Sequence, residues 1–404
     1  MTLKLSVEEQ LKVIQRGVIE LLPIEEMKSK LEKSLKENKP LIIKQGFDPT
    51  APDIHLGHTV GIRKLKQFQD LGHQVVVIIG DYTGMVGDPS DKKSTRPRLT
   101  HDQVMQNAKT YEQQFFKILD KDKTIIKYNG EWFSKLQFSE IMELAAKFTV
   151  ARMLERDDFA KRFAAQQPIS IHEFFYPLMQ GYDSVMIHAD VEIGATEQKF
   201  NLIIGRHIQQ EYDQEPQIVL TLPVLPGIDG TQRMSKSLGN YIGIDEAPEE
   251  MYGKCMRIPD ELIYTYYELV TDVSLDELAI IKSKLESPDV NPRDLKHDLA
   301  YTIVRMYHGE EKAKEARIHF EKLFIKKDIP DEMPETEVSS GKNLVELILD
   351  EKLASSKSEV RRLIKQGGIS IDKVKINDEF YTLEEKGEYI IKIGKRKFLK
   401  AIVK

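Results

Sequence analysis

Residues 40–79 read PLIIKQGFDPTAPDIHLGHTVGIRKLKQFQDLGHQVVVII. Pro40 and the apolar run Leu41-Ile42-Ile43 open a short buried strand, ended by Gly46-Phe47-Asp48-Pro49. From Gly57 to Leu71, the residues Val60, Ile62, Leu65, Phe68 and Leu71 recur at helical spacing, and Gly72 stops that helix. Gln74 to Ile79 then reads as a strand apolar on both faces. Strand, helix and doubly buried strand make the repeating unit of an α/β parallel sheet covered by helices. Such a sheet binds ligands beyond the carboxyl ends of its strands, which places residues 46–58 and 80–98 at the expected site.

Outward from this unit, residues 6–37 read as helical, and 100–210 as helices alternating with connecting loops. Gln217 to Leu222 is another buried strand, followed by a glycine-containing loop over 226–243. Residues 245–328 read as wholly helical and highly charged. The polar stretch to Gly341 carries Pro330 and Pro334 and reads as a linker. The expected domains are therefore 1–228 (catalytic sheet with N-terminal helices and an inserted helical segment), 229–328 (loop plus helices), 329–341 (linker) and 342–404 (a small α+β module).

The chain has 404 residues, 41% hydrophobic and 31% charged, which suits a multi-domain globular protein. Its longest strongly apolar stretch, Val75 to Ile79, is far too short to cross a bilayer. The amino terminus MTLKLSVEEQ lacks the basic flank and apolar block of a secretion signal. The single cysteine, Cys255, excludes an internal disulfide framework and a multi-cysteine metal site. A cytoplasmic protein without a protein-bound metal is expected. Net charge is −6, unfavourable for a nucleic-acid partner, yet its distribution is uneven. Of 59 Lys+Arg and 65 Asp+Glu, 15 and 10 fall in Gly341–Lys404, so a basic tail follows an acidic body. That pattern points to an appended polyanion-binding module.

Two segments carry the chemistry. In Asp48-Pro49-Thr50-Ala51-Pro52-Asp53-Ile54-His55-Leu56-Gly57-His58, two histidines three apart stand where a helix starts. Both can aim ring N–H groups at one anion, beside the partial positive charge of the helix N-terminus. Gly57 has no side chain to keep an adenine ring off the backbone. Most HxxH pairs are structural, and zinc would require a third ligand. Arg233-Met234-Ser235-Lys236-Ser237 lies in a loop with Gly227, Gly230 and Gly239, where a lysine can meet phosphate charge that grows during reaction. Either segment alone is weak; in this order, each next to a buried strand, they reinforce one another. A third basic run, Gly87-Asp88-Pro89-Ser90-Asp91-Lys92-Lys93-Ser94-Thr95-Arg96, follows the second strand. Most such runs are solvated surface loops. Tyr176, Gln180 and Asp183 fall at i, i+4 and i+7, so they can line one polar wall of a pocket, with Pro177 disturbing the helix.

The first two segments resemble the HIGH and KMSKS signatures of class I aminoacyl-tRNA synthetases, and nearly the whole chain resembles bacterial tyrosyl-tRNA synthetases. The resemblance implies a Rossmann-type catalytic domain, then an α-helical anticodon-binding domain and a small α+β RNA-binding domain of ribosomal-protein type. It implies attack of the L-tyrosine carboxylate on the α-phosphate of ATP, bound with Mg²⁺, and transfer of tyrosine to the 3′ end of tRNA(Tyr) by a cytoplasmic homodimer. His55, His58 and Thr50 would act on the phosphates; Lys236, Arg233, Lys92 and Arg96 would hold pyrophosphate. Gly57, Met234, Ser235, Lys236 and Glu197 would contact ATP. Asp183 would accept from the phenol, Tyr176, Gln180 and Asp88 would bind the α-ammonium group, Asp48 would lie near the ammonium or ribose, and Gln198 would face the carboxyl. Arg361, Arg362 and Lys365, on a helix that Ser358 can cap, and Lys395, Arg396 and Lys397, at the end of the strands that follow, would grip the tRNA backbone.

Three positions depart from the family pattern. Arg233 stands where lysine is commoner, and Glu197 where aspartate is usual. Lys44 replaces a tyrosine that makes a second phenol contact in the best-known branch, and an ammonium group cannot accept a hydrogen bond. Two other readings stay open: a synthetase for tryptophan or a free-standing nucleotidyltransferase, and a non-catalytic RNA-binding protein derived from a synthetase.

Overall fold

The computed structural model describes residues 5–49, 53–88, 100–322, 333–372, 374–394 and 397–404. Thr50, Lys92, Arg96, Lys395 and Arg396 lie outside the described residues. The chain forms two compact units, Met1–His319 and Phe320–Lys404.

The first unit is built on six strands: β1 (Glu20–Leu22), β2 (Ile42–Phe47), β3 (Gln74–Ile79), β4 (Thr124–Tyr128), β5 (Val191–Ala195) and β6 (Ile218–Leu222). Their order is β1-β6-β5-β2-β3-β4, parallel throughout except for β1, which runs antiparallel to β6. This is the expected α/β parallel sheet. The helix Leu56–Asp70 crosses from β2 to β3, and all five of its anticipated apolar positions are buried. Each such burial contributes about 1.5–3 kcal/mol, enough to dock the helix on the sheet. At its end Gly72 adopts φ +96°, a left-handed conformation that a side chain would strain.

Two sequence expectations fail here. The stretch 6–37 is not continuously helical: Val7–Ile14 and Ile24–Glu37 are helices, but β1 lies between them. Gly17, at φ +63°, turns the chain, and Glu20 to Leu22 find a ladder on β6 that no local pattern announces. The stretch 100–210 holds two strands of the main sheet besides its helices. At the sheet edge, β4 includes Lys127 and buries none of its residues fully. In β5, Val191-Glu192-Ile193-Gly194-Ala195 carries a carboxylate at a buried position, which masks its strand character.

Five helices follow between Pro248 and Phe320, as the charged helical reading of 245–328 expects. The Arg16 guanidinium donates to the carbonyls of Tyr267, Glu268 and Thr271, which satisfies the carboxyl end of the helix Ile263–Val270. No helix of the described residues is long and apolar enough to cross a membrane.

The second unit is a five-stranded sheet of order β10-β9-β12-β13-β7, built from β7 (Glu335–Val338), β9 (Ile369–Ile371), β10 (Val374–Lys375), β12 (Gly387–Ile393) and β13 (Lys397–Val403). A small pair, β8 (Lys342–Asn343) and β11 (Thr382–Leu383), accompanies it. Helices Leu344–Asp350 and Lys357–Lys365 supply Leu344, Ile348, Val360 and Ile364 to the core. The stretch expected as a linker thus contains β7, which pairs in parallel with β13. The cap of the Lys357–Lys365 helix is Ser356 rather than Ser358, its hydroxyl accepting from the Glu359 N–H at 3.2 Å.

Candidate active site

At the carboxyl ends of β2, β3 and β5 the structure encloses a small cavity lined by Asp48, Thr83, Tyr176, Gln180, Asp183 and Gln198, among others. Five of the six expected tyrosine-binding residues therefore meet in one place. Asp88 is the exception: it does not line the cavity, and its carboxylate accepts from the Arg156 guanidinium at 3.2 Å. The helix Ile171–Ile187 brings Tyr176, Gln180 and Asp183 to the cavity and continues through Pro177.

At one end, the Asp48 carboxylate accepts from the Tyr176 phenol and from the Thr83 hydroxyl, each at 2.8 Å. Burial, then the nearby Asp48 charge, hold the Tyr176 phenol well above its ordinary pKa, so it remains a donor. Gly80 makes this approach possible, since a Cβ there would lie 2.0 Å from Asp48 Oδ1. At the other end, Asp183 is 3% exposed. It accepts from Trp132 Nε1 at 2.9 Å and from Asn129 Nδ2 at 3.3 Å. Burial pushes its pKa up to about 7, opposed by the Lys44 charge and by these two hydrogen bonds. Asn129 also donates to Thr83, at 3.0 Å, which links the two ends. No motif in the sequence points to Trp132, Asn129 or Thr83. Only their place beside β3 and β4 reveals them, because no spacing pattern joins them to Asp183.

The Gln198 amide oxygen accepts from the Ala195 N–H at 3.0 Å, which leaves its NH₂ end as the donor side. Gln180 donates to Glu192 and accepts from Asn201, both at 3.0 Å. Lys44, the position that departs from the family pattern, is fully buried and ion-paired to Glu192 at 2.9 Å. It does not line the cavity.

The phosphate side is assembled from both signature segments. His55 stands immediately before the helix Leu56–Asp70, and its ring stacks on His58 with centroids 3.8 Å apart. The His55 backbone N–H donates to His58 Nδ1 at 3.2 Å. Burial, then the charges of His58 and Lys236, push the His55 pKa down to about 3. Its buried Nδ1 has no hydrogen-bond partner. The segment is pinned by Ile54 N–H to Gln114 at 2.6 Å, and by backbone bonds joining Leu56 to Ile242 and Ile244 to Ile54. Those bonds zip the first signature to the chain just beyond the second.

Lys236 Nζ reaches Asp53 of the first signature at 2.6 Å, and Arg233 meets Glu197, in the turn after β5, at 3.6 Å, so each of these two cations rests on a carboxylate. Met234 is buried, and its Cβ would lie 3.4 Å from a Cβ added at Gly57, whose other near neighbour is the His55 ring at 3.0 Å. Asn240 holds the loop, accepting from the Ser235 N–H at 2.8 Å and donating to the Arg233 carbonyl at 3.0 Å. Among the described residues, no three His, Cys, Asp or Glu side chains gather as a metal ion would need. In the second unit, Arg361, Arg362 and Lys365 lie exposed on one helix. Arg361 pairs with Glu379 at 3.1 Å, and Lys397 donates to the Leu353 carbonyl at 2.6 Å.

A neutral His55 follows from its burial. In an NMR titration from pH 5 to 8 the His55 ring is expected to show no protonation step. A step centred near the ordinary value of about 6.5 would mean that the ring is open to water.

The chain matches the family model of class I tRNA synthetases (W and Y) over residues 36–325, and that of the Tyrosine--tRNA ligase SYY-like C-terminal domain over 325–401. It is 55% identical over 397 residues to the Tyrosine--tRNA ligase of Moorella thermoacetica, covering 98% of this chain and 96% of that one. The Thermotoga maritima Tyrosine--tRNA ligase is 54% identical over 391 residues, covering 97% and 96%. Among solved structures, a C-terminally truncated mitochondrial tyrosyl-tRNA synthetase of Aspergillus nidulans superposes with a TM-score of 0.63 at 24% identity, covering 80% of this chain and 95% of that one. The Archaeoglobus fulgidus tyrosyl-tRNA synthetase complexed with L-tyrosine gives 0.63 at 21%, covering 77% and 100%. At those identities the two structures speak for the fold. The family match over residues 36–325, together with full-length relatives above half identity, establishes that the chain belongs to the class I tRNA synthetases of the tryptophan and tyrosine group.

Proposed function

We propose that the chain activates L-tyrosine with ATP, giving tyrosyl-adenylate and pyrophosphate, and then transfers tyrosine to the 3′ end of tRNA(Tyr). The observation that carries this reading is Asp183, a buried carboxylate at one end of the cavity with both oxygens oriented by neutral donors. Ionised, it rewards a phenolic O–H and is left underpaired beside a plain phenyl ring. The full-length relatives' common name and the match to a Tyrosine--tRNA ligase C-terminal domain favour tyrosine over tryptophan.

In this reading Asp48, Tyr176 and Gln180 receive the α-ammonium group, and Gln198 turns its NH₂ toward the carboxylate. The substrate carboxylate attacks the α-phosphate, and pyrophosphate leaves. The neutral His55 ring, the His58 ring and the helix N-terminus meet charge growing on the α-phosphate. Gly57, Met234 and Ser235 pack against the nucleotide, while Glu197 faces its ribose. Lys236 and Arg233 exchange their resting carboxylates, Asp53 and Glu197, for the leaving pyrophosphate. Thr50, Lys92 and Arg96 complete the phosphate side. Asp88, paired with Arg156 through one oxygen and close enough to act on Tyr176, adds negative charge beside the ammonium group. Mg²⁺ enters on the phosphate oxygens of ATP as part of the substrate. A cytoplasmic homodimer belongs to the same reading. Phe138 and Met142, one helical turn apart and 76% and 55% exposed, offer an apolar face for self-association.

ATP–pyrophosphate exchange with tyrosine, tryptophan and phenylalanine tests the reading; turnover must depend on tyrosine, and its absence would end it. The exposed Arg361, Arg362 and Lys365, with Lys395, Arg396 and Lys397, are assigned to the tRNA backbone, a contact weakened by salt. Truncation after His319 removes the second unit whole, whereas a cut at 341 would strand β7 without β13. The shortened chain is expected to retain exchange within about threefold and to lose at least about tenfold in aminoacylation of tRNA. Equal losses in both assays would contradict this division of labour.

A further inference from the structure

Lys44 and Glu192 are directly opposed register partners on the parallel strands β2 and β5, 0% and 1% exposed. An ammonium group has three N–H donors. Here all three are spent: on Glu192 Oε1 at 2.9 Å, on the Gln180 carbonyl at 2.7 Å and on the Ser184 hydroxyl at 2.7 Å. Gln180 and Ser184 flank Asp183 on its helix. Glu192 in turn accepts from Gln180 Nε2, from Ser184 at 3.4 Å and from Gln217. Lys44 therefore has no donor left for a substrate. It grips the helix on both sides of the carboxylate that faces the cavity.

Burying such a pair is no cheap source of stability, since well-packed apolar residues of similar volume often serve as well or better. We propose that Lys44, paired with Glu192, is a specificity-determining positioning residue: it fixes the Gln180–Ser184 segment against the sheet and supplies the positive field that keeps Asp183 a hydrogen-bond acceptor for the phenol of the amino acid substrate. This rests on the tyrosine-activating reading above. The charges facing Asp183 from neighbouring elements are Lys44 on β2 and Glu192 on β5. Asp48, at the end of β2, and the neutral Tyr176 phenol occupy the opposite end of the cavity. If all three groups at this end ionise, the site carries one net negative charge, so each partner shifts Asp183 in its own direction. Lys44 favours the carboxylate, and Glu192 opposes it.

The test uses the full-length chain and its sole tryptophan, Trp132, which touches Asp183 and reports tyrosine binding by fluorescence. Tyrosine Kd is measured from pH 5.5 to 8.5, with kcat from ATP–pyrophosphate exchange. Lys44→Met is expected to move the midpoint of tyrosine affinity upward by about one pH unit. That weakens tyrosine binding about fivefold at pH 7 and only about 1.3-fold at pH 8.5, with no matching loss of phenylalanine binding. Glu192→Gln, nearly isosteric, is expected to move the midpoint down by a similar amount and to tighten tyrosine binding about fivefold at pH 6. A purely structural brace would weaken binding in both variants at every pH. Midpoints that do not move, that move in the same direction, or a wild-type Kd flat over this range would overturn the proposal. Should Lys44→Met fail to fold, the Glu192→Gln midpoint decides alone. Absence of tyrosine-dependent exchange in the wild-type chain would instead sink the underlying functional reading.

Discussion

Asp183→Ala is expected to cut the preference for tyrosine over phenylalanine, taken as the ratio of kcat/KM in ATP–pyrophosphate exchange, by at least about a hundredfold. A site built to pair a substrate hydroxyl rejects the analogue lacking it by about 10⁴–10⁵, a range for which tyrosyl-tRNA synthetases are themselves the established example. The discrimination has a physical source in this cavity. Asp183 is buried with two fixed donors, Trp132 and Asn129, and its remaining acceptor capacity has no compensation when a phenyl ring arrives. Alanine removes that penalty for phenylalanine and the phenol's partner for tyrosine together. Water entering the vacated space can pair with Trp132 and Asn129, so part of the discrimination survives through the shape of the cavity. Asp183→Asn keeps the shape while replacing one acceptor with a donor, and it is expected to lower tyrosine activity more than phenylalanine activity. An unchanged ratio in the alanine variant would remove Asp183 from the pocket.

Lys236→Ala carries the second large effect. Loss of one preorganised donor to developing charge costs about 10²–10³ in rate, or about 2.7–4 kcal/mol. Lys236 lies on the opposite segment from the tyrosine cavity, and its resting partner is Asp53 rather than any residue lining that cavity. Adenylate formation is therefore expected to slow at least tenfold and up to about 10³-fold, with tyrosine affinity held within about twofold. Single-turnover kinetics separates these quantities. A loss of tyrosine affinity matching the loss of rate would show that the loop holds the structure together instead of stabilising the leaving group.

Much of the catalytic unit was legible because local periodicity encodes it. Val60, Ile62, Leu65 and Phe68 could bury themselves together only on a helix, and Val75 to Ile79 only on a strand enclosed on both faces. The chemistry was legible where it sits in contiguous runs, His55 to His58 and Arg233 to Ser237, with glycines where the backbone is crowded. Asp88 reads as a substrate contact from its place in a motif, and its pairing with Arg156, a partner 68 residues away, is invisible to any local pattern. Strand β5 stayed hidden because Glu192 breaks its apolar run. A buried carboxylate makes sense only once its ammonium partner is known.

Local pattern alone is enough for the α/β class, the order of strand and helix from Pro40 to Ile79, and the two cationic segments that flank a phosphate. These follow from the 3.6-residue and two-residue repeats of backbone geometry and from side chains that act where they stand. Long-range packing brings β1 and β5 into the sheet, carries Trp132 and Asn129 to Asp183 across 51 and 54 residues, and gives Lys44 Glu192 and Ser184 as partners instead of the substrate. Buried polar groups must be paired, and which partner is within hydrogen-bond reach depends on which strands become neighbours, a choice made by the packing of the whole core rather than by any local stretch of chain.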